Sequence, residues 1–169
     1  MRAASFSLEP TCAICALHQS PAQLDAMEIW RSEHWLLRHH PHPSPLRGWC
    51  LLDSRRHCGG PADFSPAEAS DWGRIVQRAS LLVKHASGCE RVYAIAFGEG
   101  ARHLHLHLIP RFSGIPETEA WAVADLYRAV QRKLRPAASE SEVDVWIQTA
   151  RHWAPSLMGV GAKGAAPDG

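Results

Sequence analysis

Three histidines alternate with three leucines in the segment HLHLHL, residues 103–108. The side chains of a β-strand alternate between its two faces. His103, His105 and His107 are therefore predicted to share one face at steps of about 7 Å, with the leucines directed into a core. One histidine on the wet face of a strand needs no special function, but three in strict alternation indicate a site.

Such a row suits chemistry at phosphorus. A neutral imidazole offers one lone pair for attack on phosphorus or for a metal, while a hydrogen bond to its other nitrogen fixes the tautomer. Neighbouring imidazoles can stabilise negative charge on phosphate oxygens. The row therefore predicts phosphoryl or nucleotidyl transfer. A zinc site made of all three histidines is an alternative, although ligands on one straight strand do not converge easily on an ion.

A second group of candidate ligands lies near the N-terminus. Cys12 and Cys15 form a Cys-x-x-Cys motif, which is typical of metal or redox chemistry, although two buried small residues are the simpler interpretation. Five cysteines are an odd number for a secreted disulfide framework, so a reducing, cytoplasmic setting is predicted. Cys50, Cys58 and Cys89 are interpreted as core or surface thiols.

The chain pattern predicts which elements position these residues. Residue Ser65, Glu68 three positions later and Pro66 at the first helical position indicate a helix that Gly88 ends. Prolines in PHPSPLR, residues 41–47, indicate a loop. Strands are predicted at 27–32, 34–39, 48–56, 91–97 and 103–111, with further helices at 117–134 and 140–153. The result is an α+β fold.

Composition limits the classes of function. A chain of 169 residues with 46% hydrophobic residues is expected to form a single domain over 1–155, followed by a flexible tail at 156–169. The net charge of +1 does not favour duplex nucleic acid or an anionic membrane as a partner, and no segment resembles a signal peptide or a membrane span. The histidine-rich segment 38–43 is interpreted as surface, with a place in the lining of a nucleotide pocket as the lesser alternative. Trp30, Trp35 and Trp49 are interpreted as packing for the sheet, and stacking of one of them on a base is the alternative.

The segment HLHLHLIPR resembles the signature of the histidine triad (HIT) superfamily, and the order of elements from Cys12 to about Arg111 is similar too. The resemblance implies an antiparallel sheet of about five strands with a central packed helix, C-terminal helices and a homodimer. It also implies a nucleotide hydrolase or nucleotidyl transferase. In that family the middle histidine, here His105, attacks the α-phosphate to form a nucleotidyl-histidine, and the third, here His107, holds the phosphate.

One branch of the superfamily binds a structural zinc ion. The resemblance implies that Cys12, Cys15, His57 and His103 hold it here, a Cys2His2 shell that is complete without substrate. Cys58, next to His57, is an alternative ligand. His103 would then serve both the metal and the triad.

The sequence also departs from the family pattern. The turn AFGEGAR, residues 96–102, lacks the Asn, Gln and Ser that many members carry, and Gly48 and Trp49 replace a Gly-His pair. Arg102 and Gly100 are candidate substrate contacts, although Arg102 is equally well interpreted as an exposed arginine of the turn. Arg111 is either structural or a further contact. Two alternatives to an enzyme therefore stay open: a nucleotide-binding or regulatory module with little or no turnover, and a metal-binding scaffold.

Overall fold

The computed structural model describes residue 9 and residues 11–159. Five strands form the sheet: β1 Glu28–Arg31, β2 Trp35–His39, β3 Cys50–Ser54, β4 Arg91–Ala96 and β5 His105–Arg111. Five α-helices surround it: α1 Ala13–His18, α2 Pro21–Met27, α3 Pro66–Ser87, α4 Ala122–Gln131 and α5 Glu140–Met158. Short 3-10 turns lie at Pro61–Asp63 and Pro116–Thr118.

The sheet is antiparallel throughout and has the order β1-β2-β3-β5-β4. The strand with the histidines, β5, is therefore flanked by β3 and β4. Leu104, Leu106 and Leu108 are buried on one face, in the core with residues of α3 and α5. The other face carries His105 and His107, and a smaller apolar cluster of Trp49, Ile109 and Val123 packs beside them.

Helix α3 forms as its N-terminal residues predict. Ser65 accepts a hydrogen bond from the backbone N–H of Glu68, whose carboxylate accepts one from the N–H of Ser65. Pro66 occupies the first turn, and Gly88 ends the helix with a left-handed φ of 64°. This cap fixes the helix that supports the inner face of the sheet.

The predicted α+β fold with a five-stranded antiparallel sheet is confirmed, and the differences lie in the bounds of single elements. The helix predicted at 117–134 is the shorter α4, Ala122–Gln131, because the chain first makes the 3-10 turn at Pro116–Thr118. Helices α1 and α2 were not predicted, and Met27, assigned to a strand, ends α2, because hydrophobic periodicity is weak over so short a segment. Helix α5 runs on to Met158, which includes the start of the segment predicted as a tail; residues 160–169 lie outside the described part of the chain.

In the described part of the chain, no helix combines the length and the apolar character that crossing a bilayer requires.

Candidate active site and metal centre

The four residues predicted to bind zinc lie together. Each of Cys12, Cys15, His57 and His103 offers one ligand atom, and these atoms all lie within 4.8 Å of one another. Nδ1 of His103 lies 3.5 Å from Sγ of Cys12 and 3.4 Å from Sγ of Cys15, and Nδ1 of His57 lies 3.3 Å from Sγ of Cys15. Helix α1 brings the two cysteines together, because Cys12 is its N-cap residue and Cys15 lies in its first turn.

These distances fit a tetrahedral ion. With Zn–S and Zn–N bonds of about 2.3 and 2.05 Å, the sulfur-to-nitrogen edge of a tetrahedron is about 3.5 Å. The tautomer fits too: His103 donates Nε2–H to the carbonyl oxygen of Ser54 at 2.7 Å, which leaves the lone pair on Nδ1. Burial lowers the pKa of His103 to about 4, so this ring is neutral at physiological pH. The cluster is therefore able to hold a metal ion.

Three further candidate residues lie near the cluster. The alternative ligand, Cys58, donates to Oγ of Ser54 at 3.4 Å and is not among the converging groups. Arg102 and Gly100 are exposed and line a cavity of about 430 Å³ together with Cys12 and His57. The structure therefore places these two candidate substrate contacts on the metal side of the site.

His105 is held by a backbone carbonyl. Its Nδ1–H donates to the carbonyl oxygen of His103 at 2.6 Å, so the lone pair of the neutral ring lies on Nε2. The side chain is half-buried, and its ring centroid lies 5.4 Å from that of His107. His105 therefore has the tautomer that a nitrogen nucleophile requires and a neighbour suited to hold an anion.

His107 is more deeply buried on the sheet face, termed the cleft, that also carries His105, and Nε1–H of Trp49 donates to its Nδ1 at 2.9 Å. Burial lowers the pKa of His107 to about 3, and nearby His105, His40 and Arg38 add to the effect. The ring of Phe97, at the end of β4, lies 5.3 Å from that of His107 and is half exposed. His107 is thus a neutral ring that is hydrogen-bonded to Trp49 and has the aromatic ring of Phe97 beside it.

His103 leaves the regular strand. Strand β5 begins at His105, and the backbone N–H of Leu104 bonds to the carbonyl of Cys58 at 2.8 Å. The ring of His103 therefore turns to α1 and the metal cluster, while His105 and His107 face the cleft. The row predicted on one straight strand is divided between two sites.

A buried ion pair lies on the same face of the sheet as His105 and His107, and it was not predicted. Nε of Arg38 lies 2.7 Å from the carboxylate of Asp53, which pairs across the strands with His105. Nε2 of His18, at the end of α1, lies 3.0 Å from the same carboxylate. Burial raises the pKa of Asp53, but Arg38 and His18 outweigh it and lower the pKa to about 2. The pair is therefore charged at neutral pH.

The interpretation of segment 38–43 as surface is wrong for its first half. Arg38, His39 and His40 are buried, whereas Pro41 and His42 are exposed. The ring of His40 lies 6.4 Å from that of His107, and its Nδ1–H donates to the carbonyl of Pro41 at 2.7 Å. Strand β2 runs within the sheet as far as His39, and only then do the prolines turn the chain outward. The number of polar residues in the segment does not reveal this burial.

The guanidinium of Arg111 makes its contacts with the loop that follows β5. It donates to the backbone carbonyl of Phe112 and to the hydroxyl of Thr118, and it lies 3.2 Å from the carboxylate of Glu119. It therefore fixes the loop after β5.

Searches against models of protein families and against curated proteins found no match to this chain. Solved structures do match. A hypothetical histidine triad nucleotide-binding protein from Sulfolobus tokodaii is 16% identical, with a TM-score of 0.63 over 92% of this chain and 100% of that one. A zinc-bound histidine triad family protein from Mycobacterium smegmatis is 18% identical, with a TM-score of 0.61 over 86% of this chain and 96% of that one.

A Hit-like protein from Bartonella henselae, described as involved in cell-cycle regulation, is 15% identical, with a TM-score of 0.60 over 86% of this chain and 98% of that one. The likeness covers almost the whole of each solved chain. The protein therefore has the fold of histidine triad proteins, with the triad and the Cys2His2 cluster at the sites described above.

Proposed function

We propose that this protein is a nucleotide hydrolase or nucleotidyl transferase that acts at the α-phosphate through His105. The observation that carries the proposal is the hydrogen bond from Nδ1 of His105 to the carbonyl of His103, which leaves the lone pair on Nε2 beside His107. The fold of histidine triad proteins supports the same chemistry.

The proposed reaction has two displacements at phosphorus. First, Nε2 of His105 forms a bond to the α-phosphorus while the bond from phosphorus to the leaving group breaks, and the leaving group takes the electron pair. The proton stays on Nδ1 of His105, and the carbonyl of His103, which accepts a hydrogen bond from it, stabilises the positive charge on the ring. Water or another acceptor then forms a bond to phosphorus while the bond from phosphorus to Nε2 of His105 breaks and its electron pair returns to Nε2; the proton of the acceptor passes to bulk water.

His107 holds the phosphate in this proposal. A donor aimed at the phosphate oxygens stabilises the charge that develops in the transition state. The buried guanidinium of Arg38 contributes a fixed positive charge on the same face of the sheet, even though Asp53 balances much of it.

We further propose that the cluster binds zinc through Cys12, Cys15, His57 and His103. The converging donors and the Nδ1 lone pair of His103 support this assignment. Zinc would serve as a structural cross-link between α1 and the start of β5, and it takes no part in the displacements. Burial raises the pKa of the Cys15 thiol, so ion binding would release its proton.

The leaving group is expected to depart as an anion. The turn before the triad lacks a serine to protonate it, and the aromatic ring of Phe97 lines the wall near His107. Dinucleoside polyphosphates and nucleotide sugars should therefore react faster than nucleoside phosphoramidates, whose amine must be protonated as it leaves.

A panel of these three substrate classes, run on the wild type and on His105→Ala, tests the proposal. His85→Ala removes an exposed histidine of α3 and is the matched control. Turnover should fall by about a thousandfold or more in His105→Ala alone. Mass spectrometry of base-quenched protein should find the nucleotidyl group on His105, and acid treatment, which cleaves the bond between phosphorus and nitrogen, should remove it. Equal turnover in His105→Ala contradicts the covalent mechanism.

The same panel decides the alternative of a nucleotide-binding module. Trp49 and the short turn replace polar residues that many family members carry, which favours this alternative over a metal scaffold. Nucleotide binding by calorimetry, unchanged by His105→Ala and without turnover in any substrate class, would establish it.

A homodimer is proposed as the assembly. Strand β4 lies at the edge of the sheet, and Arg91, Ala94 and Ala96 on it are exposed. A sheet edge with small exposed residues is suited to pair with a second copy.

A further inference from the structure

The bond between Trp49 and His107 has a consequence for the chemistry of the cleft. An indole has one N–H and no acceptor, so Nδ1 of His107 must provide the lone pair when it bonds to Trp49. The proton of the neutral ring then lies on Nε2. We infer that Trp49 is a positioning residue that fixes His107 as an Nε2–H donor toward the phosphate.

The surroundings of the bond strengthen the inference. Trp49 is 2% exposed and His107 is 6% exposed, so water does not compete freely for Nδ1. The indole is itself held in place, because its ring packs against those of Tyr127 at 5.8 Å and His40 at 5.9 Å. A hydrogen bond in so enclosed a place sets the tautomer firmly.

The two cleft histidines thus receive opposite assignments from two different partners. A carbonyl, which only accepts, puts the proton of His105 on Nδ1; an indole, which only donates, puts the proton of His107 on Nε2. Nε2 of His105 then carries a lone pair and Nε2 of His107 a proton, on two rings whose centroids lie 5.4 Å apart. A nucleophile requires the lone pair on His105, and a residue that binds an anion requires the N–H on His107. Both tautomers are fixed by the protein before substrate binds.

Most of the charged and titratable groups on the neighbouring strands, like the hydrogen bond from Trp49, disfavour a protonated His107. His105 on β5 and His40 and Arg38 on β2 disfavour the imidazolium, while Asp53 on β3 favours it more weakly. Protonation of His107 would also put a hydrogen on its Nδ1, where it would face the N–H of the Trp49 indole and break the hydrogen bond between the two rings. Trp49 therefore helps to keep the ring neutral.

The test is nuclear magnetic resonance of the whole 15N-labelled protein, with and without zinc. A coupling across the hydrogen bond between Nε1 of Trp49 and Nδ1 of His107 should be visible, and the His107 ring should show an unprotonated Nδ1. Absence of the coupling, or a proton on Nδ1, overturns the inference. This measurement needs no turnover, so its result is distinct from that of the proposed function on which the catalytic part of the role rests.

Trp49→Phe keeps an aromatic ring and removes the donor. Loss of one hydrogen bond should raise the titration midpoint of the His107 ring by about one pH unit. Trp35→Phe is the matched control, since it removes a buried indole N–H, bonded to Asp71 at 3.0 Å, from the opposite face of the sheet. An unchanged midpoint in Trp49→Phe, or an equal rise in Trp35→Phe, contradicts the role. If Trp49→Phe does not fold, the coupling in the wild type decides alone.

Discussion

Nδ1 of His105 lies 2.6 Å from the carbonyl oxygen of His103, whose own ring points at Cys12 and Cys15. One residue therefore serves both sites, the ring facing the metal cluster and the backbone facing the proposed nucleophile. The backbone carbonyl survives any substitution of the His103 side chain. Loss of the metal is thus expected to act on catalysis through the position of the chain and not through loss of a hydrogen-bonding group.

Cys15→Ser should abolish zinc binding. Protein purified without chelator should contain about one zinc per chain by elemental analysis in the wild type and almost none in Cys15→Ser. Because the four ligands come from separate segments, loss of the ion should lower the melting temperature by several degrees. Cys89→Ser, at a buried thiol outside the cluster, is the control. Full zinc content in Cys15→Ser would contradict the proposed metal site.

His103→Ala should lose zinc and reduce turnover by about 10- to 100-fold, the range found when groups that orient a site are removed. Cys15→Ser should lose the same zinc but retain more turnover, because His103 keeps its bond to Ser54. The measurement is kcat on the best substrate of the panel. Equal loss in both variants would show that zinc alone orients the strand.

Acid should destabilise the protein in part through His39. Burial lowers the pKa of His39 to about 4, and both ring nitrogens are bonded, Nδ1–H to the carbonyl of His40 and Nε2 to the N–H of Gly48. The pKa is lowered in the folded state, so the stability that the neutral ring contributes is complete above pH 6.5 and is lost as the pH falls toward 4. The expected loss is about 3 kcal/mol.

His39→Gln, which does not titrate, tests this pH dependence. Its urea unfolding free energy should fall less than that of the wild type between pH 6.5 and 4, even if it is lower at pH 7. His42→Gln is the control, because that side chain is exposed. Parallel curves for His39→Gln and the wild type would exclude His39 as the source.

Gly48→Ala should be destabilising by about 1–3 kcal/mol. Gly48 has a φ of +84°, and a Cβ there would lie 2.6 Å from Oγ of Ser87 and 3.2 Å from the ring of Trp146. Gly73→Ala, at an open position within α3, should instead stabilise by about 0.5–1 kcal/mol. Urea unfolding measures both. A neutral Gly48→Ala would show that the turn before Trp49 can move.

The proposed dimer predicts a mass of two chains in light scattering. Ala94→Arg, at an exposed position of β4, should shift the protein to monomer, whereas Ala69→Arg on the exposed side of α3 should not. A monomeric wild type would contradict the proposed dimer. A dimeric Ala94→Arg would show that the interface lies elsewhere than at β4.

The sequence alone determined the five strands, the long helix and the residues that could carry chemistry. These features are local: alternation in HLHLHL, the capping box at Ser65 and Glu68, and the glycine at 88 are each set by a few neighbouring residues. The Cys-x-x-Cys and triad patterns predicted the members of the metal cluster only through resemblance to a family, since their spacing along the chain does not fix a distance in space.

Tertiary structure decided how those residues are arranged. That His103 leaves the strand for the metal while His105 and His107 face the cleft depends on the docking of α1 and on the carbonyl of Ser54. The tautomers depend on partners that are distant in sequence, such as Trp49, 58 residues from His107. The buried pair of Arg38 and Asp53 was hidden for the same reason: a charged residue is buried only where folding brings it a partner.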